Sequence, residues 1–243
     1  MTDEQPPKPP SSKPPGKAFH DKTRTTRDAR VRVKTAKGRK PSSTQWLQRQ
    51  LNDPYVKEAQ RLGYRSRAAF KLLEIDAEMH LLKPDMVIVD LGAAPGGWAQ
   101  VALQKKVSRV IGIDLLPIDP LDGATFLQMD FMDNDAPDRL MQEAGGEVDL
   151  VLSDIAQNTV GHRATDHIRI VALVEAAALF AIDILKPGGG FVAKVFQGGA
   201  AHDVLTLLKQ NFTKIKHVKP KSSRAESAEV YLVATGFKGR VQA

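Results

Sequence analysis

The sequence predicts an α/β protein with a doubly wound, mostly parallel sheet of seven strands, helices on both faces and an antiparallel last strand. Three observations predict this fold class. After Pro84, short apolar strands alternate with helical patterns, a glycine-rich turn begins at Gly92 directly after the first strand, and acidic residues follow three strands. Near-continuous apolar strands that alternate with helices are typical of a parallel sheet covered on both faces.

The individual elements follow from this alternation. The predicted strands are 86–91, 109–114, 125–129, 148–153, 191–196, 215–219 and 229–237. The predicted helices between them are 98–104, 137–144, 168–185 and 201–211. The glycines of "LKPGGG" at 185–190 end a helix before the fifth strand. A short basic loop joins the last two strands, which predicts an antiparallel pair at one edge of the sheet.

Two regions precede the alternating part. Residues 1–45 contain seven of the fifteen prolines and many Ser, Thr, Lys and Arg. Such a segment buries too little apolar surface to offset its ordering entropy, so we predict a disordered basic tail. Residues 46–243 are predicted to fold, beginning with a helical extension over 46–84. Ser43 or Thr44 is expected to cap its first helix, and Ser66 the helix that contains Phe70.

The positive charge of the chain is concentrated in the tail. The net charge is +7, but residues 1–45 hold twelve Lys/Arg and four Asp/Glu, a net of +8. The remainder therefore carries −1. Within it, 49–71 holds six basic and two acidic residues, and 209–224 holds six basic residues and no acids. These stretches indicate either a face that binds a polyanion or an ordinary solvated surface.

Several classes of protein are disfavoured by composition. No run of eighteen apolar residues occurs, so no transmembrane helix is expected, and the first residues lack the apolar segment of a secretory signal. The absence of cysteine excludes disulfides, thiolate metal sites and cysteine nucleophiles. His162 and His167 lack zinc-ligand spacing, so no metal is predicted. These features fit a cytoplasmic protein, which we expect to be a monomer.

The glycine-rich turn "VDLGAAPGGW" at 89–98 predicts a ligand site, because such a turn lets the backbone approach a ligand closely. Ligands of doubly wound sheets bind beyond the carboxyl ends of the strands, where Asp114, Asp130 and Asp154 are expected. The G-x-G-x-x-G spacing of dinucleotide sites is absent. S-adenosylmethionine fits instead: its ribose diol suits Asp114, its adenine edge suits Asp130 or a neighbouring amide, and its sulfonium favours nearby carboxylates.

Trp98 has two interpretations at the far end of this turn. Its side chain could pack near the amino-acid arm of the cofactor, or it could anchor the following helix in the core. From spacing alone the core position is favoured, because buried tryptophan is usually structural.

A second group of charged residues lies at or inside apolar strands. Lys194 stands between Ala193 and Val195, where an ammonium is costly unless it is paired or functional. Asp154 follows the fourth strand, and Glu229 opens the last one. A buried ion pair would explain one such contact, but three charges that converge beside the glycine-rich turn favour a functional site.

Taken in order, the motifs of the chain resemble the FtsJ family of ribosomal RNA ribose 2′-O-methyltransferases over about residues 60–238. The stretches that carry the resemblance are "RSRAAFKL", "DLGAAPGGW", "LLPIDP", "FLQMDF", "LSDIAQN", "VAKVFQGG", "KPKSSR" and "EVYLVATG". The resemblance implies a catalytic tetrad of Lys71, Asp154, Lys194 and Glu229. It also implies S-adenosylmethionine contacts at Gly96, Trp98, Asp114, Asp130 and Asp154, and as substrate a uridine of large-subunit ribosomal RNA within the assembled 50S subunit.

The chain departs from the family pattern at two positions. Gln157 stands where proline usually follows the "SDxA" motif, so the loop after Asp154 is less constrained. Glu226 stands where the family tends to carry arginine. Glu229 is assigned to the tetrad because it directly precedes "VYLVATG".

Three other functions compete with this interpretation. A transfer-RNA ribose methyltransferase shares the motifs, and phosphate contacts from basic residues do not discriminate between RNAs. A non-catalytic RNA-binding assembly factor would keep the fold but has no need of Lys194 in an apolar strand. A nicotinamide-dependent oxidoreductase is disfavoured by the glycine spacing.

Overall fold

The computed structural model describes residues 32–33, 41–155, 163–196, 202–224 and 227–240. Within them, three helices precede the sheet: α1 (Pro41–Leu51), α2 (Pro54–Leu62) and α3 (Ala68–Met79). The strands are β1 (Val87–Leu91), β2 (Arg109–Asp114), β3 (Ala124–Gln128), β4 (Val148–Ser153), β5 (Leu185–Phe196), β6 (Phe212–Val218) and β7 (Glu229–Phe237). The connecting helices are α4 (Gly97–Gln104), α5 (Ala136–Ala144), α6 (Arg163–Ile184) and α7 (His202–Asn211).

The seven strands form one sheet in the order β3-β2-β1-β4-β5-β7-β6. The pairs from β3 to β5 are parallel, whereas β7 is antiparallel to both β5 and β6. The predicted fold class is therefore confirmed, including the antiparallel last strand. β7 lies between β5 and β6, so its first residues meet the carboxyl end of β5.

Each face of the sheet packs against its own set of helices. On one face, apolar residues of α5, α6 and α7 form a core with alternate strand residues such as Val89, Ile111 and Val151. On the other face, α3 and α4 pack on Ile88 and Leu150, which are neighbours in the strands. None of the described helices has the length and apolar character needed to cross a membrane.

Most strand predictions match the structure, and the largest differences occur near glycines and at helix starts. The bounds of β2, β4 and β7 are as predicted. β5 begins at Leu185, six residues early, because Leu185 pairs with Val148 before a register shift at the glycines. β6 begins three residues early and α6 five residues early.

The predicted helix caps are wrong. α1 begins at Pro41, so Ser43 and Thr44 lie inside the helix, and residues 41–45 are helical although they fall in the segment predicted as tail. Arg67 precedes α3 without a side-chain cap. Ser66 instead points towards the start of α4, where its Oγ would lie 2.6 Å from a Cβ placed on Gly97.

Candidate active site

The carboxyl ends of β4 and β5 and the first residues of β7 bring the predicted charged side chains together. Asp154 directly follows β4, and Lys194 lies near the end of β5. Lys194 pairs in register with Tyr231, while Glu229 lies two residues earlier on the same face of β7. Tyr231 packs in the core formed with α3 and α4, so this is the face covered by α3.

Asp154 and Lys194 form the centre of the site. The Lys194 ammonium donates to Asp154 Oδ1 at 3.0 Å and to the backbone carbonyl of Asp154 at 2.6 Å. Lys194 is only 7% exposed, so this carboxylate is the partner that a buried ammonium needs. The two acceptors fix the position of the ammonium from two directions.

Lys71 and Glu229 complete the tetrad. Lys71 lies in α3, and its Nζ is 2.7 Å from Glu229 Oε1 and 3.9 Å from Asp154 Oδ1. The two lysines thus alternate with the two acids in the order Lys194, Asp154, Lys71, Glu229. All four residues implied by the resemblance meet in one cluster, although they come from four separate parts of the chain.

Tyr231 also belongs to this cluster, and the sequence interpretation missed it. Its hydroxyl donates to Asp154 Oδ1 at 2.7 Å and lies 3.4 Å from Glu229 Oε1. Burial and the charges of Asp154 and Glu229 raise the pKa of Tyr231 well above its usual value. Tyr231 is therefore a neutral hydroxyl that donates its single proton to Asp154 and lies close to Glu229. Its position two residues after Glu229 in a strand was the signal that could have revealed it.

Asp154 remains ionised despite its burial. Burial alone would raise its pKa, but the charges of Lys194 and Lys71 and the hydrogen bonds from Tyr231 and Lys194 bring the pKa below its usual value. The ionised carboxylate therefore pairs closely with Lys194 and interacts at longer range with Lys71.

The glycine-rich turn lies beside the tetrad. Gly92 has a φ of +78°, and a Cβ there would come within 2.9 Å of the Ile155 backbone, so only glycine fits. Gly96, with a φ of +99°, precedes the first residue of α4. The Arg65 guanidinium donates to the carbonyls of Pro95, Asp119 and Pro120, which joins this turn to the segment after β2.

Two of the three acids predicted to bind the cofactor accept hydrogen bonds from backbone amides. Asp114 ends β2, and its oxygens accept from the amides of Ala94 and Leu116 at 2.9 Å each. Asp130 lies two residues after β3, and its Oδ1 accepts from Met132 N at 2.9 Å. The Ala94 contact places Asp114 directly against the glycine-rich turn.

The Trp98 ring lies in the core. It is 3% exposed, its Nε1 donates to the Ala68 carbonyl at 2.8 Å, and the ring packs 5.7 Å from that of Tyr231. The side chain therefore joins α4 to α3 and β7. Its backbone, in the first turn of α4, is the part that lies next to the glycine-rich turn.

Asp90 is a second residue that the sequence interpretation missed. It lies in β1 just before the turn, is 1% exposed, and neither of its carboxylate oxygens has a hydrogen-bond partner among the described residues. Burial, together with the charges of Asp154 and Asp114, raises its pKa to about 8. An acid inside the apolar stretch "VIVDL" was the available signal.

Asp90→Asn is expected to flatten the pH dependence of stability. The folded state keeps the Asp90 proton up to about pH 8, whereas the unfolded chain releases it near the ordinary value. Since the unfolded state then binds fewer protons, rising pH destabilises the wild-type fold between these values, by about 1.4 kcal/mol per pH unit for one proton. Chemical denaturation of the cofactor-free protein at pH 5, 6, 7 and 8 measures this.

The control for that experiment is Asp122→Asn, at an exposed acid in the segment before β3. It should keep the wild-type slope. If the Asp90→Asn slope also equals that of the wild type, Asp90 does not hold its proton in the folded protein.

Some predictions fall outside the described residues. Gln157, Glu226 and His162 lie in undescribed segments, as does the His167 side chain. In the described ranges, no three His, Asp or Glu side chains are grouped so that they could hold a metal ion.

Comparison with known proteins identifies the family. The model of the FtsJ-like methyltransferase family matches residues 64–237. This chain belongs to that family. The match includes α3, the glycine-rich turn and all four tetrad residues, which confirms the resemblance predicted from the motifs. The matched range begins after the end of α2 and so does not include α1 or α2.

Individual relatives agree with the family match. The chain is 62% identical over 208 residues to "Ribosomal RNA large subunit methyltransferase E" of Maricaulis maris, covering 86% of this chain and 75% of the relative. It is 59% identical over 221 residues to the protein of the same name from Paramagnetospirillum magneticum, covering 88% and 91%.

A solved structure supports the same fold. It is a Plasmodium falciparum protein assigned as a ribosomal RNA methyltransferase, which is 33% identical with a TM-score of 0.64. The superposition covers 73% of this chain and all of the other. Membership of a methyltransferase family argues against the oxidoreductase alternative.

Proposed function

We propose that this protein transfers a methyl group from S-adenosylmethionine to the ribose 2′-hydroxyl of a uridine in large-subunit ribosomal RNA, in the cytoplasm and within the assembled 50S subunit. The observation that carries the proposal is the Lys194–Asp154 pair beside an acid-lined glycine turn. Relatives at 62% and 59% identity are named as large-subunit ribosomal RNA methyltransferases. A non-catalytic RNA-binding factor would not need these buried charges.

The residues around the turn fit a cationic cofactor. Burial, and then the charges of Asp154 and Asp114, raise the pKa of Asp90, so two carboxylates act on the start of the turn. S-adenosylmethionine supplies an activated methyl group on a positively charged sulfur. We propose that Asp114 accepts from its ribose hydroxyls, Asp130 binds its adenine edge, and the Gly96 and Trp98 backbone contacts its amino-acid arm.

The tetrad positions the attacking hydroxyl. In the reaction the ribose oxygen forms a bond to the methyl carbon, the carbon–sulfur bond breaks, and its electron pair remains on sulfur as a neutral thioether. Holding the three atoms in line supplies much of the acceleration. We assign Lys194 to contact the ribose oxygen, Asp154 to hold Lys194, and Lys71 and Glu229 to fix Asp154.

Lys194 has two possible roles towards the hydroxyl proton. As a neutral amine it accepts that proton while the oxygen attacks. As an ammonium it donates a hydrogen bond to the oxygen, and the proton passes to water after transfer. A rate that rises with pH supports the amine, and a rate that falls supports the ammonium.

Asp114→Ala is expected to weaken S-adenosylmethionine binding, because it removes the carboxylate assigned to the ribose diol. The loss of charge-assisted hydrogen bonds should cost about 1.5–3 kcal/mol, or roughly ten- to a hundredfold in affinity. Isothermal calorimetry measures it, with Asp122→Ala as the control at the start of β3, the opposite end of the sheet. If both variants bind S-adenosylmethionine with equal affinity, a residue other than Asp114 makes the ribose contact.

The basic tail is expected to add phosphate contacts without base specificity. Deleting residues 1–40 leaves α1 whole, since that helix begins at Pro41. Each lost contact should reduce the slope of log affinity against log salt by about 0.7–0.9. Filter binding of RNA across a salt series measures the change. A full-length variant in which the tail Lys and Arg are replaced by Gln separates the effect of charge from that of length. If the plots of log affinity against log salt are parallel to that of the wild type, the tail does not touch RNA.

One experiment separates the candidate substrates. Extracts of cells that lack the enzyme are incubated with the protein and methyl-tritiated S-adenosylmethionine, and large subunits, free ribosomal RNA and transfer RNA are then separated. The proposal expects label in large-subunit RNA. Label confined to transfer RNA would support the transfer-RNA alternative, and no label in any fraction would support the non-catalytic one.

A further inference from the structure

A cavity of about 430 Å³ lies beside the tetrad, between α1 and α2 on one side and the loop from β6 to β7 on the other. The cationic residues among its eleven lining residues are Arg49, Arg67, Lys221 and Arg224, and the acidic one is Asp53. Asn52, Ser222 and Ser223 also line the cavity. Such a lining suits an anion.

Asp53 organises the cationic wall of the cavity. Its Oδ1 accepts from Tyr55 N at 3.0 Å and so caps α2. Its Oδ2 binds the guanidinium groups of both Arg67 and Arg224, the latter at 3.4 Å. One carboxylate shared by two guanidiniums leaves a net positive charge, and it holds both groups in place before any ligand arrives.

The two arginines differ in accessibility. Arg67 is 15% exposed, donates to the Ser222 carbonyl as well as to Asp53, and lies over the Tyr55 ring. Arg67 therefore holds the wall of the cavity together and is the less accessible of the two guanidinium groups. Arg224 is 30% exposed and makes the longer contact to Asp53, so its guanidinium is the one that a ligand can reach.

The cavity shares a loop with the catalytic cluster. Ser223, in its wall, donates from Oγ to Glu229 Oε1 at 3.1 Å, the oxygen that also binds Lys71. Ser222 donates from its amide and its hydroxyl to Glu74, at 3.0 and 3.1 Å. Because Glu74 lies one turn after Lys71 in α3, the loop is fixed to the helix that carries the tetrad lysine.

We propose that this cavity binds a backbone phosphate of the substrate RNA next to the target nucleotide, with Arg224 and Lys221 as its ligands and Arg67 as the supporting group. The inference rests on the proposed function, since it takes RNA as the substrate. A phosphate fits because guanidinium groups bind its oxygens in a fork geometry. Its position beside Ser223 gives the RNA strand a fixed point from which the target ribose reaches Lys194.

Arg224→Ala tests the proposal, with Arg240→Ala as the matched control. Arg240 pairs with Glu147 beyond the end of β7, on the edge of the sheet opposite the tetrad. The probe is a transcript of large-subunit ribosomal RNA, bound across a salt series without cofactor. Arg224→Ala should reduce the slope of log affinity against log salt by about 0.7–0.9. Arg224→Lys should keep the slope, and Arg240→Ala should match the wild type.

Two further measurements make the result decisive. Lys221→Ala, at an exposed lysine, should reduce the slope in the same way without touching Asp53. In methyl transfer, Arg224→Ala should raise KM for RNA more than it lowers kcat, with unchanged S-adenosylmethionine affinity. Wild-type slopes for both Arg224→Ala and Lys221→Ala would overturn the phosphate site even if the wild-type protein methylates ribosomal RNA. Conversely, reduced slopes in a protein that methylates no ribosomal RNA would overturn the proposed function alone.

Discussion

Lys194→Ala should lower kcat for methyl transfer by about a hundredfold to ten-thousandfold, the range expected when a group that handles a reacting proton is removed. In the structure its ammonium is held by two oxygens of Asp154, so the substitution deletes the group that we assign to the ribose hydroxyl. Asp154 keeps Lys71 and Tyr231 as partners, which should preserve the fold. Single-turnover kinetics with saturating RNA and cofactor measures the chemical step.

Lys194→Arg separates charge from geometry at the same position. It keeps a positive charge, but its planar guanidinium neither deprotonates nor matches the point charge of an ammonium. We expect it to be nearly as slow as Lys194→Ala. Lys209→Ala, at an exposed position in α7, is the control and should keep the wild-type rate. If either Lys194 variant turns over near the wild-type rate, Lys194 is not a catalytic residue.

Asp154→Ala should abolish methyl transfer and also destabilise the protein. It leaves the buried Lys194 without its carboxylate, and breaking a buried ion pair from one side costs about 3–5 kcal/mol. The lowered pKa of Asp154 shows that its interactions with the lysines outweigh its burial. Urea denaturation and single-turnover kinetics measure the two effects separately.

A double variant distinguishes the structural from the catalytic loss. Asp154→Ala with Lys194→Met removes the uncompensated charge, so it should recover much of the lost stability while remaining inactive. If the single Asp154→Ala protein is as stable as the wild type, the pair does not contribute to folding in the way that its burial implies.

The sequence predicted the parts of the site that obey simple periodicity. Asp114 and Asp154 end or follow apolar strands, so their place at the carboxyl edge of a parallel sheet could be derived. Lys194 was recognisable because an ammonium inside an apolar strand needs a partner. The antiparallel pairing of β7 followed from the short loop before it.

Other features depend on contacts between distant parts of the chain. Lys71 lies in a helix, and only the packing of α3 on the sheet brings it 2.7 Å from Glu229, so the motif resemblance supplied what spacing could not. The unusual pKa of Asp90 arises from burial and from two acids on other strands. Ser66 faces α4 rather than the amides of α3, which local capping preferences do not reveal.

The contacts that Arg65 and Arg67 make within the fold could not be derived from the local sequence either. Arg65 and Arg67 were counted as part of a cationic stretch that could contact a polyanion. In the structure Arg65 joins the glycine-rich turn to the segment after β2, and Arg67 is shared between Asp53 and Ser222. Charge counts therefore overestimate the cations available at the surface of this region.

Nucleoside mass spectrometry of ribosomal RNA tests the central claim most directly. Large subunits from cells that lack the enzyme are treated with S-adenosylmethionine and either the wild-type protein or Lys194→Ala, and their RNA is digested to nucleosides. We predict that the wild-type protein adds one 2′-O-methyluridine per large subunit and that Lys194→Ala adds none. A methyl group on a base, or 2′-O-methylation that persists in Lys194→Ala, would contradict the account.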